Sequence, residues 1–142
     1  MAVRYTTTLD GITEDDLRGG FWVGWPDPPA AGMHLAMLRG SEAVVLAIND
    51  EAKPGVPRVV GFVNAVGDGV LAAYLPCLEV LPAWQGQGIG SELVRRVLAA
   101  VEPRYMVDLV CDDGVAPFYE RLGMTPYRAM IRRDRRALKA SR

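Results

Sequence analysis

Two apolar runs, Glu42–Ile48 and Arg58–Val66, flank a stretch (Asn49–Pro57) with Asn-Asp, two prolines and a glycine. Runs of that length bounded by turn residues predict buried strands. Gly67-Asp68-Gly69 is a hairpin signal that leads into a third run, Val70–Leu81. Pro76 lies inside that run and cannot donate to a ladder, so it predicts an edge or a bulge. The rhythm then changes. Leu93, Val97, Leu98 and Val101 recur at helical spacing and predict a helix over Ile89–Val101, closed by Pro103. Tyr105–Cys111 predicts another buried strand. Asp113 is a candidate cap for a short helix, Val115–Leu122, ended by Gly123, and Tyr127–Arg132 predicts a last strand. Upstream, Val3–Thr8 predicts a short strand. Thr13 opens a brief helix, with Asp16 as its capping-box partner and Ile12 as a staple. Phe21–Pro29 is a Trp- and Pro-rich loop, and Ala30–Arg39 is a helix carrying Met33, Met37 and Leu38 at helical spacing.

The predicted order is βααβββαβαβ. Antiparallel strands come first, and a strand–helix–strand unit long enough for a parallel crossover follows. That is an α+β fold with a mixed, mostly antiparallel central sheet flanked by helices. No repeat or linker interrupts it, so residues 1–142 are read as a single domain.

Composition narrows the function classes. Half of the 142 residues are hydrophobic, enough for one core without disulfides or metals. A net charge of −1 gives no global case for nucleic acid or membrane partners. Arg128, Arg132, Arg133, Arg135, Arg136, Lys139 and Arg142 oppose only Asp134 near the C-terminus, which reads as a solvated tail. Cys77 and Cys111 stand at no metal spacing and are expected to be reduced and buried, and His34 is the single histidine, so no metal site is expected. Residues 1–16 lack the apolar core of a signal peptide and no window is a membrane span, so a cytoplasmic location is expected.

The most informative segment is Gln85-Gly86-Gln87-Gly88-Ile89-Gly90-Ser91, between a strand and the strongest helix. Glycines there leave bare backbone N–H groups at the positive end of a helix dipole, a seat for phosphate or pyrophosphate. A P-loop would need a lysine that is missing. A dinucleotide fingerprint would need a third glycine where Ser91 stands, although Asp108, Asp112 or Asp113 lies at a suitable distance. A purely structural tight turn is a further alternative.

The stretch L-E-V-L-P-A-W-Q-G-Q-G-I-G-S-E-L, Leu78–Leu93, resembles the acyl-CoA signature of the GNAT superfamily of N-acyltransferases, with Gln85, Gly88 and Gly90 at the signature positions. Ala116–Met124, A-P-F-Y-E-R-L-G-M, resembles the family's second conserved segment. The pair has the expected order and separation, and the resemblance covers about Val59–Tyr127. It implies a GNAT-like fold and acetyl-CoA as cosubstrate. It also implies cofactor contacts from the backbone of Gln85, Gly86, Gln87, Gly88, Ile89, Gly90 and Ser91. Leu78 and Val80 would offer main-chain contacts to the acyl and pantetheine groups, with the Leu78 N–H as oxyanion donor.

Tyr119 matches the family's tyrosine that protonates the departing thiolate. The base is less evident. Strand alternation puts Tyr74, Pro76, Leu78 and Val80 on one face. In related enzymes that face supplies acids or histidines; here Tyr74, acting through an ordered water, is the candidate. Glu79 has suitable chemistry but points the other way unless a bulge turns it. Asp112-Asp113 replaces an asparagine common in the family. On the acceptor side, Trp22 and Trp25 could wall a slot and Asp27 could pair with an amine.

The activity implied is transfer of an acetyl group from acetyl-CoA to a primary amine, small molecule or peptide, by direct attack in a ternary complex. The alternative is a non-catalytic acyl-CoA-binding or regulatory module of the same fold; a small nucleotide-binding protein is a more distant rival. A homodimer paired through the last strand is also expected by resemblance.

Overall fold

The computed structural model describes residues 2–139. A six-stranded sheet runs in the order β1 (Arg4–Thr6), β2 (Ala43–Ile48), β3 (Val59–Gly67), β4 (Ala72–Tyr74), β6 (Met106–Asp108), with β5 (Leu78–Val80) also paired to β3. All neighbours are antiparallel except β4 and β6, which run parallel. The mixed, mostly antiparallel sheet matches the expectation from sequence. The helices are α1 (Ala31–Arg39), α2 (Ile89–Val101) and a short α3 (Ala116–Glu120). β2 and β3 are buried nearly throughout, as expected of central strands covered on both faces.

One face of β3 meets α2: a Cβ built on Gly61 would lie 3.1 Å from Leu93 Cδ1 and 3.4 Å from Ile89 Cγ2. The other face meets α1: the Phe62 ring is 4.4 Å from the His34 imidazole, centroid to centroid. The capping box near the N-terminus forms, with the Thr13 N–H donating to Asp16 Oδ2 at 3.0 Å.

The long third run is split into β4 and β5 by Leu75-Pro76-Cys77. Buried Asn64 fills the gap in the ladder. Its Oδ1 accepts the Cys77 N–H at 3.2 Å, its own N–H donates to the Cys77 carbonyl at 3.3 Å, and its Nδ2 donates to Ser41 Oγ at 3.1 Å. The interruption shifts the register by one residue. Glu79 stands opposite Phe62 and Leu78 opposite Val63, whereas Tyr74 stands opposite Val66. Side chains alternate along β3, so Val66, Asn64 and Phe62 share the α1 face. Tyr74 and Glu79 therefore lie on one face, and Leu78 and Val80 on the other. Regular alternation had grouped Tyr74 with Leu78 and Val80; the bulge at Pro76 overturns that grouping, because one extra residue reverses side-chain parity.

Three further expectations are corrected. Tyr127–Arg132 is not a strand: it has no ladder partner among the described residues, and Tyr127 and Met130 are 97% and 93% exposed. The Asp113 side chain does not cap α3, whose first bonds are closed by the backbone carbonyls of Asp112 and Asp113. Cys111 is exposed, while Cys77 is half-buried.

Candidate active site

The chain enters α2 through two left-handed glycines, Gly86 (φ 79°) and Gly88 (φ 83°), a conformation that costs any other residue. Gly88 is the N-cap, and no side chain caps the helix. The first intrahelical bond runs from the Glu92 N–H to the Gly88 carbonyl, 3.1 Å. The N–H groups of Ile89, Gly90 and Ser91 therefore have no partner within the helix. A Cβ on Gly86 or Gly88 would meet no atom within 4 Å, so the turn that leads into the helix is open beside both glycines. Gly90 differs. Its φ is ordinary, and a Cβ there would lie 3.6 Å from Phe118 Cζ and 3.8 Å from Val80 Cγ2, at the meeting point of α2, α3 and β5.

The β5 edge faces the same opening. The Leu81 N–H donates to the Val60 carbonyl at 2.9 Å, and the Cys77 N–H to Asn64 Oδ1. Both point toward β3. Backbone groups alternate in direction along a strand, so the N–H groups of Leu78 and Val80 point away from β3, where β5 has no other neighbour. β4 and β6 stay joined only as far as the Leu75 N–H, which donates to the Asp108 carbonyl at 2.9 Å. Beyond that point the sheet splays. The side chain of Gln85 closes part of the gap by donating to the Val80 carbonyl at 3.0 Å. Gln85 thus braces the loop against β5 with its side chain, and Gln87 sits between the two left-handed glycines.

Tyr119, on α3, stacks edge-on against Phe118 at 4.9 Å, and Phe118 in turn reaches Gly90. The second motif is thereby brought to the mouth of the glycine run. Burial, with a smaller contribution from Cys111, pushes the Tyr119 phenol up to about 12, so it keeps its proton at neutral pH. Burial, then Glu79, pushes the Cys77 thiol up to about 11, which makes it a poor nucleophile.

On the α1 face, Phe21 and Trp22 enter the core while Trp25 is 42% exposed. Trp22 has a left-handed backbone (φ 71°), and its ring lies 5.0 Å from Trp25 and 4.8 Å from His34. The Trp22 N–H donates to Glu79 Oε1 at 2.8 Å. Burial raises the Glu79 pKa, and the nearby backbone N–H groups of Trp22 and Val23 oppose the rise. Asp27 accepts from Arg135 at 2.8 Å and lies 3.4 Å from Lys139 Nζ. Two cations of the tail are therefore bound rather than merely solvated, and they hold the Asp27 carboxyl below its usual range.

Sequence reasoning missed the Glu79–Trp22 link, which joins residues 57 positions apart, and the cage around His34. No local signal marks the first. The second had one cue: a lone histidine among apolar helix residues. Among the described residues no group of His, Cys, Asp and Glu has a metal-binding arrangement, and no helix is long and apolar enough to cross a membrane.

The profile of the acetyltransferase (GNAT) family matches residues 11–124. An uncharacterized N-acetyltransferase ycf52-like protein of Prochlorococcus marinus is 32% identical over 120 residues, covering 83% of this chain and 64% of its own. The chloroplastic serotonin N-acetyltransferase 2 of Oryza sativa is 33% identical over 103 residues, covering 71% of this chain and 50% of its own. The chain thus spans less than two thirds of these curated relatives. Among solved structures, one from Deinococcus radiodurans R1, whose acetyltransferase assignment is provisional, aligns with a TM-score of 0.90. It is 44% identical and covers 99% of this chain and 94% of its own. A GNAT-family acetyltransferase of Streptococcus pneumoniae TIGR4 aligns at 0.69, with 28% identity over 94% of this chain and 98% of its own.

Proposed function

The chain belongs to the GNAT family of acetyltransferases, and from there we propose that it moves an acetyl group from acetyl-CoA to a primary amine by direct attack in a ternary complex. The observation that carries this reading is the uncapped start of α2, with Gly86 and Gly88 left-handed, opening onto the unpaired edge of β5. A diphosphate fits the first site because its charge meets free N–H groups and the helix dipole. An extended pantetheine arm fits the second because it can pair with β5 as a strand would.

In this reading the Leu78 N–H donates to the thioester oxygen as attack by the amine gives it charge, a role worth roughly 3 kcal/mol where it has been measured. The nitrogen forms its bond to the acetyl carbon, the carbon–sulfur bond breaks, and the thiolate takes a proton from Tyr119. The amine gives up its proton to water held by Tyr74. The phenol then recovers a proton through solvent. Tyr119 stays protonated at neutral pH, so it is available as a donor; it is a weaker acid than a free thiol (~8.5), so the transfer is uphill and is drawn to completion as solvent reprotonates the phenol. Cys77 is held as a neutral thiol, which favours direct attack over an acyl-cysteine intermediate.

Trp25 and the Trp22 loop offer an aromatic wall to the acceptor, and Asp27 offers a carboxylate already shared with Arg135 and Lys139. A cytoplasmic location is part of the same proposal, although the rice relative is chloroplastic by name. The test is an amine panel of serotonin, tryptamine, spermidine and a lysine peptide, with acetyl-CoA and a thiol-reactive dye. An acceptor that accelerates CoA release supports the enzyme. Saturable CoA binding with no acceleration by any amine supports the non-catalytic module instead.

A further inference from the structure

We infer that Glu79 is a positioning residue: its carboxylate clamps the acceptor-side loop, Phe21–Pro29, to the strand that carries the oxyanion donor. Glu79 follows Leu78 directly, so the two side chains lie on opposite faces of β5, and the bulge at Pro76 turns that of Glu79 to the α1 face. The Leu78 amide looks into the splayed cleft while the Glu79 side chain reaches the loop on the α1 face. There it takes the N–H of Trp22 at 2.8 Å.

The loop needs such an anchor. Its own backbone contributes one turn bond, from the Trp25 N–H to the Trp22 carbonyl at 3.1 Å. Trp22 holds a left-handed φ of 71°, unfavourable for a bulky residue, and such geometry persists only where the surroundings enforce it. The Trp22 N–H held by this carboxylate supplies that enforcement, since hydrogen bonds to a charged acceptor are the stronger kind. The clamp also seats the Trp22 ring over His34 and Phe62, at 4.8 and 5.6 Å. Trp25, bonded back to Trp22, inherits its position. One side chain thus sets where the aromatic wall stands relative to the Leu78 amide. The consequence for catalysis rests on the acetyltransferase reading above; the clamp itself does not.

Three variants test it. In Glu79→Gln the amide oxygen still accepts the Trp22 N–H. In Glu79→Ala nothing does. Glu79→Asp is one methylene too short and carries the same expectation if the alanine variant fails to fold. Amide exchange followed by NMR should show Trp22 exchanging about tenfold faster or more in Glu79→Ala, and within about threefold of wild type in Glu79→Gln, given the usual worth of such a bond. For the most active amine of the panel, Glu79→Ala should raise the amine KM about tenfold, leaving kcat and the CoA affinity within about threefold. Glu79→Gln should restore the KM. Unchanged exchange at Trp22 in Glu79→Ala would overturn the clamp whether or not the protein acetylates anything. Loss of kcat in Glu79→Gln as deep as in Glu79→Ala, with the acidic limb of the pH profile gone, would overturn it in favour of Glu79 as the proton acceptor.

Discussion

Replacing His34 by leucine should abolish most of the acid sensitivity of folding. His34 is 1% exposed, it is enclosed by the rings of Phe21, Trp22 and Phe62, and neither ring nitrogen has a hydrogen-bond partner. Burial lowers its pKa from 6.5 to about 4. The unfolded chain therefore takes up a proton near 6.5 that the folded chain refuses until about 4. Stability falls as pH drops through the unfolded value and stops falling below the folded one. Comparing the two titration curves between about pH 7.5 and about pH 5 gives a loss of about 2 kcal/mol from this group alone. Urea unfolding followed by circular dichroism at both pH values measures it. Carboxylates such as Glu79 and Asp16 titrate in both proteins, so the difference between wild type and His34→Leu isolates the imidazole. Leucine fits an apolar cage, so the variant should fold at neutral pH. An equal drop in stability for both proteins would refute the reasoning and mean that water or a rearranged loop satisfies His34.

Tyr119→Phe should lower kcat by about a hundredfold while leaving CoA affinity within about twofold, as expected for loss of a proton donor alone; steady-state rates and calorimetry measure the two, and retained turnover would remove Tyr119 from the reaction. A thiol reagent at mildly alkaline pH should label exposed Cys111 first, because the Cys77 thiol is held near 11 and is half-buried; mass spectrometry of the labelled peptides checks the order. If a second subunit pairs with Tyr127–Arg132, as the family resemblance suggests, light scattering at micromolar concentration should give twice the chain mass, and a monomer would end that expectation.

Local signals in the sequence translated well into local structure. The glycine run, the helix after it and the Thr13–Asp16 box depend on neighbours a few residues apart, and each forms where its residues stand. Pro76 announced a break in its strand but not what the break does, because parity depends on how many residues the bulge absorbs, which only pairing with β3 reveals. Asp27 looked free to meet an amine because its partner Arg135 lies 108 residues away. Tyr127–Arg132 read as a last strand, yet a strand is defined by a partner, and none pairs with it among the described residues. The site is therefore legible on its cofactor side, where backbone conformation is set by glycine and proline. Its acceptor side, built from long-range side-chain contacts, is not.

Isothermal titration of the folded protein with CoA, run beside Gly88→Val, tests the central claim most directly. Gly88 is left-handed, and a branched side chain there would both strain the turn and screen the amides behind it. Saturable one-to-one binding by the wild type is expected, weakened about tenfold or more in the variant, in line with the loss of several N–H contacts to phosphate. Absence of saturable binding by the well-folded wild type, or equal affinity in a well-folded Gly88→Val, would contradict it.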